Sequence, residues 1–254
     1  KQFIMRIDPE VDEAIDRALA VIERGNISSG ERIISELLIK YPDIYIVQYA
    51  MGVVYALKNK YDKAIAYFDK AIEIFPYFVE AWFNKGTSHQ KKLEVAEMIR
   101  AFQKVIELGD PNEDFVKQAK NVINGLEKQI REESGLNLDG YLKSSDRFEE
   151  AYALMEIMEW NKAIIGFQAV LSLNPKHVQS YGNMGICYAK LGEKQKALAA
   201  LDKALKLDPN YGPALANRNI VMSLEEGQKL PPSKIESVEY YKDVFLKEKS
   251  RFGG

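Results

Sequence analysis
The sequence predicts an all-α protein in which antiparallel helix pairs stack side by side into a solenoid. Three observations carry this. Apolar residues recur at helical spacing from Ile44 to Leu57 and again from Tyr61 to Ile74, with the polar turn "KNK" between them. Within that hairpin small and bulky residues alternate: Gly52 before Tyr55, Ala64 before Phe68, then Ala71 and a closing Pro76. Small residues let two helices approach closely, bulky ones fill the flanking space, and proline stops the second helix. Finally, the code returns 34 residues later as Trp82, Gly86, His89, Met98, Phe102 and Val105.

Taken in chain order, the first pair is a divergent copy: Ala14, Ala18 and Val21, then Gly30, Ile34, Leu37 and Pro42. The stretch "GNISSGER" (25–32) is expected to be its internal turn. Pairs two and three follow over residues 45–112. From Phe115 to Arg131 the pattern reads as one long helix, and "ESGLNLDGYLKS" after it has loop composition, with two glycines. A helix from about Ser144 to Met158 then pairs with Ala163, Phe167, Val170 and Pro175. The fifth pair is nearly complete: Tyr181, Gly185, Tyr188, Gly192, Ala197, Leu201, Ala204 and Pro209. A half-repeat runs from Gly212 to about Gly227. After "GQKLPPS", the residues Ile235, Val238, Tyr241 and Phe245 lie on one stripe of a last amphipathic helix. Such a helix caps the array or docks in a groove, its own or that of another copy.

The 34-residue period with this packing code resembles the tetratricopeptide repeat (TPR) family, over residues 11–112 and 144–211. The resemblance implies a right-handed superhelix of helix pairs with a C-terminal capping helix. The expected organisation is an N-terminal array (1–112), a long helix plus loop (113–143), a C-terminal array (144–227) and a tail helix (228–254). One continuous solenoid and two sub-bundles both fit this pattern.

Composition narrows the function. Lys+Arg total 35 and Asp+Glu 37, so no strong field draws nucleic acid or anionic lipid. No apolar run reaches the roughly 18–20 residues of a membrane helix. A single Cys187 excludes an internal disulfide framework, which suits a cytoplasmic protein. His89 and His177 fall in different repeats, and neither they nor Cys187 form a metal-ligand or nucleophile cluster. In "GNISSGER" Glu31 replaces the phosphate-binding Lys of a P-loop. No catalytic residue, cofactor or metal is expected.

The resemblance further implies that the first helix of each pair lines a concave groove that holds extended peptides or helices. Projected from the packing positions, the groove residues in the N-terminal half are Tyr49, Val53, Ala56, Phe83, Asn84, Thr87, Gln90 and Lys91, continued by Lys117, Gln118 and Asn121. In the C-terminal half they are Phe148, Tyr152, Met155, Asn183, Ile186, Lys190, Asn217 and Ile220. Tyr49 and Phe83 are one period apart, and their rings are expected to stand side by side with Asn84 beside them. The TPR cochaperones that grip acidic chaperone tails carry Lys and Asn one turn apart in one repeat, Asn in the next, and Lys and Arg one turn apart in the third. Here those positions hold Ile15, Leu19, Ala50, Glu80 and Asn84, or in later registers Tyr49, Val53, Asn84, Asp114 and Gln118, or Phe148, Tyr152, Asn183, Pro213 and Asn217. Only the Asn survives, which argues against such a receptor. The expected function is a non-catalytic protein–protein interaction scaffold. The alternatives are a homo-oligomer assembled through the C-terminal helix, or the regulatory half of a larger enzyme, since the chain begins at Lys1 rather than Met.

Overall fold
The structure, a computed structural model, describes residues 9–231. Among these, twelve helices follow one another with no strand. The tail helix expected over 228–254 falls outside the described residues from 232 onward. Contacts group the chain into two units, Lys1–Leu126 and Glu127–Gly254.

In the first unit α1 (Pro9–Glu23) pairs with α2 (Ile27–Lys40), α3 (Tyr45–Leu57) with α4 (Tyr61–Ile74), and α5 (Val79–Lys92) with α6 (Val95–Leu108). Each second helix also packs on the next first helix, α2 on α3 and α4 on α5, so every pair supplies the neighbour its successor needs. The small residues mark the crossings. A Cβ added to Gly52 would lie 2.5 Å from the fully buried Phe68 ring, which leaves no room for a side chain there. Gly185 faces Leu201 in the same way, at 2.6 Å.

A second regularity sits in the turns. Gly25, Asn59, Leu93, Met158 and Gly192 hold the same place in successive pairs, and all five have left-handed backbone, with φ of 87°, 56°, 62°, 63° and 82°. In each of these two- or three-residue turns the left-handed residue stands two positions before the second helix, a conformation that is free for Gly and costs most other residues about 1–2 kcal/mol. Leu93 and Met158 are therefore strained positions.

Two loop expectations are corrected. Residues 27–32 are helical, and the first turn is confined to Arg24–Asn26. The Asn26 side chain caps α2 by accepting the Ser29 N–H at 3.1 Å, and Gly30 serves a helix crossing against Ile22 rather than a turn. Likewise the loop read over 133–144 shrinks to Gly135–Asn137. Helix α7 (Asp114–Ser134) runs to Gly135, whose φ of 76° ends it, and α8 (Leu138–Glu156) starts under an Asn137 cap that accepts the Gly140 N–H at 2.8 Å.

In the second unit α8 pairs with α9 (Trp160–Leu173) and α10 (Val178–Leu191) with α11 (Lys194–Leu207). Helix α12 (Gly212–Met222), with Pro213 in its first turn, packs on α11 and α10. Phe167, Ile186, Leu201 and Tyr211 form the buried centre of this unit.

Candidate protein-binding face
The first helices α1, α3 and α5 present the face on which the candidate residues of the first unit fall. Tyr49 packs edge-on against Phe78, with ring centroids 4.8 Å apart, and tilted on Phe68 at 5.8 Å. Burial, reinforced by the Glu80 charge, pushes its phenol up to about 12, so it stays protonated as a hydrogen-bonding group. Asn84, from the next first helix, donates its Nδ2–H to the Tyr49 hydroxyl at 2.7 Å. Phe83 turns to Phe102 at 5.7 Å and Phe115 at 5.6 Å. The expected side-by-side ladder of Tyr49 and Phe83 is thus corrected: each ring packs on the bulky residue of its own pair, because the small residue opposite leaves room for it. Both remain half-buried.

Val53, Ala56 and Thr87 are also half-buried, while Gln90, Lys91, Lys117, Gln118 and Asn121 are exposed. The Thr87 hydroxyl is spent on the Phe83 carbonyl of its own helix, at 3.0 Å. Below this face the buried His89 binds Glu94 at 2.8 Å through Nδ1, and Lys92 joins Glu94 and Asp62, each at 2.6 Å. Burial alone would raise the Glu94 carboxyl, but the hydrogen bonds from Lys92 and His89 hold it below the usual range. His89 therefore clamps the turn between α5 and α6.

The second unit differs. Phe148 stacks on Tyr152 at 6.4 Å and tilts against Phe167 at 5.5 Å and His177 at 5.0 Å. Asn183, Ile186 and Asn217, expected on an open groove, are 0%, 1% and 6% exposed, and Met155 is buried too. The chain itself gives part of the reason. After α12 it turns back over α10, where the Leu230 N–H donates to the Ala189 carbonyl at 2.9 Å and Lys190 Nζ donates to the Pro231 carbonyl at 3.1 Å. Leu224 and Leu230 are buried in the same core as Ile186. The sequence reading ended the half-repeat near Gly227 and gave Leu224 and Leu230 no packing role; their signal was the spacing of two leucines around "EEGQK".

His177 caps α10, its Nδ1 3.3 Å from the Ser180 N–H and 2.9 Å from the Ser180 hydroxyl, and burial lowers it to about 4. Burial also pushes the Cys187 thiol up to about 12, which makes it a poor nucleophile. Among the described residues no three His, Cys, Asp or Glu gather as metal ligands, and no helix is long and apolar enough to cross a membrane.

The tetratricopeptide repeat profile matches residues 45–78 and 178–211, which coincide with α3–α4 and α10–α11 and the connections that follow them. The chain is 26% identical over 168 residues to stress-induced-phosphoprotein 1 of Caenorhabditis elegans, covering 64% of this chain and 52% of that one. It is 28% identical over 172 residues to the Hsp70–Hsp90 organizing protein of Triticum aestivum, covering 62% and 28%. Among solved structures, the TPR2AB domain of yeast Sti1 in complex with pHSP90 aligns over 94% of this chain and 98% of that one, at 16% identity and a TM-score of 0.42. The chain spans about half or less of the length of these two curated relatives. Residues 45–78 and 178–211 are thus tetratricopeptide repeats, and the helix pairs, glycine crossings and left-handed turns beside them keep the same register.

Proposed function
We propose that the chain is a non-catalytic interaction scaffold whose first unit takes a peptide or helix of a partner protein on the face of α1, α3 and α5. The carrying observation is the Tyr49–Asn84 pair. With Asn84 Nδ2 donating to the Tyr49 oxygen, the hydroxyl hydrogen of Tyr49 and the amide oxygen of Asn84 stay unused. One donor and one acceptor on neighbouring helices match the carbonyl and N–H of a peptide backbone. Half-buried Val53 and Ala56 add apolar contact, and exposed Gln90 and Lys91 form a polar rim. A cytoplasmic setting suits the single buried thiol.

Two relatives are named for organising Hsp70 and Hsp90 or for stress induction. The positions that would clamp an acidic tail here carry Tyr49, Val53, Asn84, Asp114 and Gln118, without paired cations. The partner segment is therefore neutral and partly apolar rather than an acidic terminus. Peptides selected from a random library on the full chain test this. Asn84→Leu should weaken their binding at least tenfold, about 1.4 kcal/mol, with Tm little changed. Unchanged affinity, or selection of acidic C-terminal sequences, overturns the proposal.

A further inference from the structure
The second unit holds an extended segment of its own chain at a place that the first unit leaves uncovered. Residues 224–231 return over the last turn of α10, where Leu224 and Leu230 are buried. The Leu230 N–H donates to the Ala189 carbonyl at 2.9 Å, and Lys190 Nζ donates to the Pro231 carbonyl at 3.1 Å. A last-turn carbonyl has no partner within its helix, so it is free to anchor a passing chain.

The repeat register locates the same place in the first unit. Helices α5 and α10 open with Val79 and Val178, so Thr87, Gln90 and Lys91 stand where Ile186, Ala189 and Lys190 do. Helices α7 and α12 open with Asp114 and Gly212, and Val116, Ala119 and Ile123 are buried where Ala214, Asn217 and Val221 are. Val122 and Leu126 therefore answer to Ile220 and Leu224, and the Phe83–Phe115 contact joins α7 to α5. The cover differs. Helix α7 runs on to Ser134, whereas the chain after α12 turns back. Ala189 is 1% exposed, but Gln90 and Lys91 are exposed and Thr87, Val122 and Leu126 half-buried. The Gln90 carbonyl receives the Leu93 N–H at 3.1 Å, as that of Ala189 receives the Gly192 N–H at 3.2 Å. Each carbonyl has a second lone pair, and on Ala189 it is Leu230 that takes it.

We propose that the last turn of α5, with Val122 and Leu126 of α7, takes an extended leucine-bearing segment of a partner protein, held as residues 224–231 are held on α10. The N–H of that leucine donates to the Gln90 carbonyl, and its side chain covers Val122 and Leu126. The carbonyl one residue on accepts from Lys91 Nζ. A proline after the leucine suits the site, because it needs no acceptor and keeps the chain extended. The inference rests on reading the first unit as a protein-binding face, and adds to it the class of segment and a second anchoring point.

The probe is the capped, neutral peptide EGQKLP, the sequence of residues 226–231, titrated into the full chain and followed by amide chemical shifts. Signals of Thr87, Gln90, Lys91, Val122 and Leu126 should move saturably. EGQKSP should bind about tenfold more weakly, as expected for losing one buried leucine. Lys91→Gln should weaken EGQKLP severalfold with Tm unchanged. Unmoved signals at these residues, equal binding of the two peptides, or equal binding by Lys91→Gln overturns the proposal. Shifts confined to α10 and α12 also overturn it, because the peptide then only competes with the chain's own segment. So does a peptide-free dimer that EGQKLP disperses, since the occupant is then a second copy. The two readings fail separately. Library-selected peptides that respond to Asn84→Leu but not to Lys91→Gln overturn this inference and leave the first-unit face standing, whereas the reverse pattern leaves the α5 anchor standing and removes the Tyr49–Asn84 pair from binding.

Discussion

Replacing Gly52 by Ala isolates the role of the helix crossings. Anywhere in a helix interior this change gains about 1 kcal/mol from helix propensity. At Gly52 the new methyl would stand 2.5 Å from Phe68 Cε1 and 2.6 Å from Cδ1, where an ordinary contact needs about 3.5–4.0 Å. The ring has to retreat by about 1 Å, yet it is fully buried and backed by Tyr49 at 5.8 Å. Overpacking of this kind costs about 1–3 kcal/mol. Gly125, in the interior of α7, is the control, because an added Cβ there meets nothing within 4 Å. Propensity cancels between the two, so Gly125→Ala should stabilise by about 1 kcal/mol and Gly52→Ala should lie about 1–3 kcal/mol below it. Urea unfolding followed by far-UV circular dichroism gives both values. Phe68→Leu in the Gly52→Ala background should recover part of the difference. Equal stabilisation by the two alanines would refute the packing account of the repeat.

Other consequences are open to the same methods. Met158, exposed and left-handed at φ 63°, should gain about 0.5–1 kcal/mol on replacement by Gly, whereas Gly192→Ala at the equivalent turn should destabilise, since its Cβ would meet the Gly227 carbonyl oxygen at 2.6 Å. Trp82→Ala should cost about 3 kcal/mol, the low end for an indole because the ring is half-buried, and it loses the Nε1–H bond to the Pro76 carbonyl at 2.9 Å. The His177 imidazole is lowered to about 4 from an ordinary 6.5, so its contribution is complete above pH 6.5 and is lost as pH falls from 6.5 towards 4. That loss amounts to at most about 3 kcal/mol, and a pH series of Tm values on wild type and His177→Asn should show it in the first and a flatter profile in the second.

Most of the architecture was legible because the repeat code is local. Gly52, Phe68, Ala71 and Pro76 specify one hairpin within 25 residues, and recurrence at a fixed period repeats the instruction. The loops were read less well. Glycines at 30 and 140 look like turn residues, but one permits a helix crossing and the other sits in a first turn capped by Asn137. The shared left-handed turn position was half hidden, since Gly25 and Gly192 announce it while Leu93 and Met158 do not. The candidate face was legible as a register but not as a surface. That Tyr49 and Asn84 pair follows from a single period plus one residue, whereas the closure of Asn183 and Ile186 depends partly on Leu224 and Leu230 returning from beyond α12. Such long-range returns leave no periodic trace.

The central claim is that the first unit binds through α3 and α5, and mapping a library-selected peptide by amide chemical shifts on the full chain tests it most directly. Signals of Val53, Ala56, Asn84, Thr87 and Gln90 should move on titration, while those of Asp69 and Lys70 on α4 and of Gln103 and Lys104 on α6 stay in place. Movement confined to the α4 and α6 signals, or no selected peptide that shifts any of them, would contradict it.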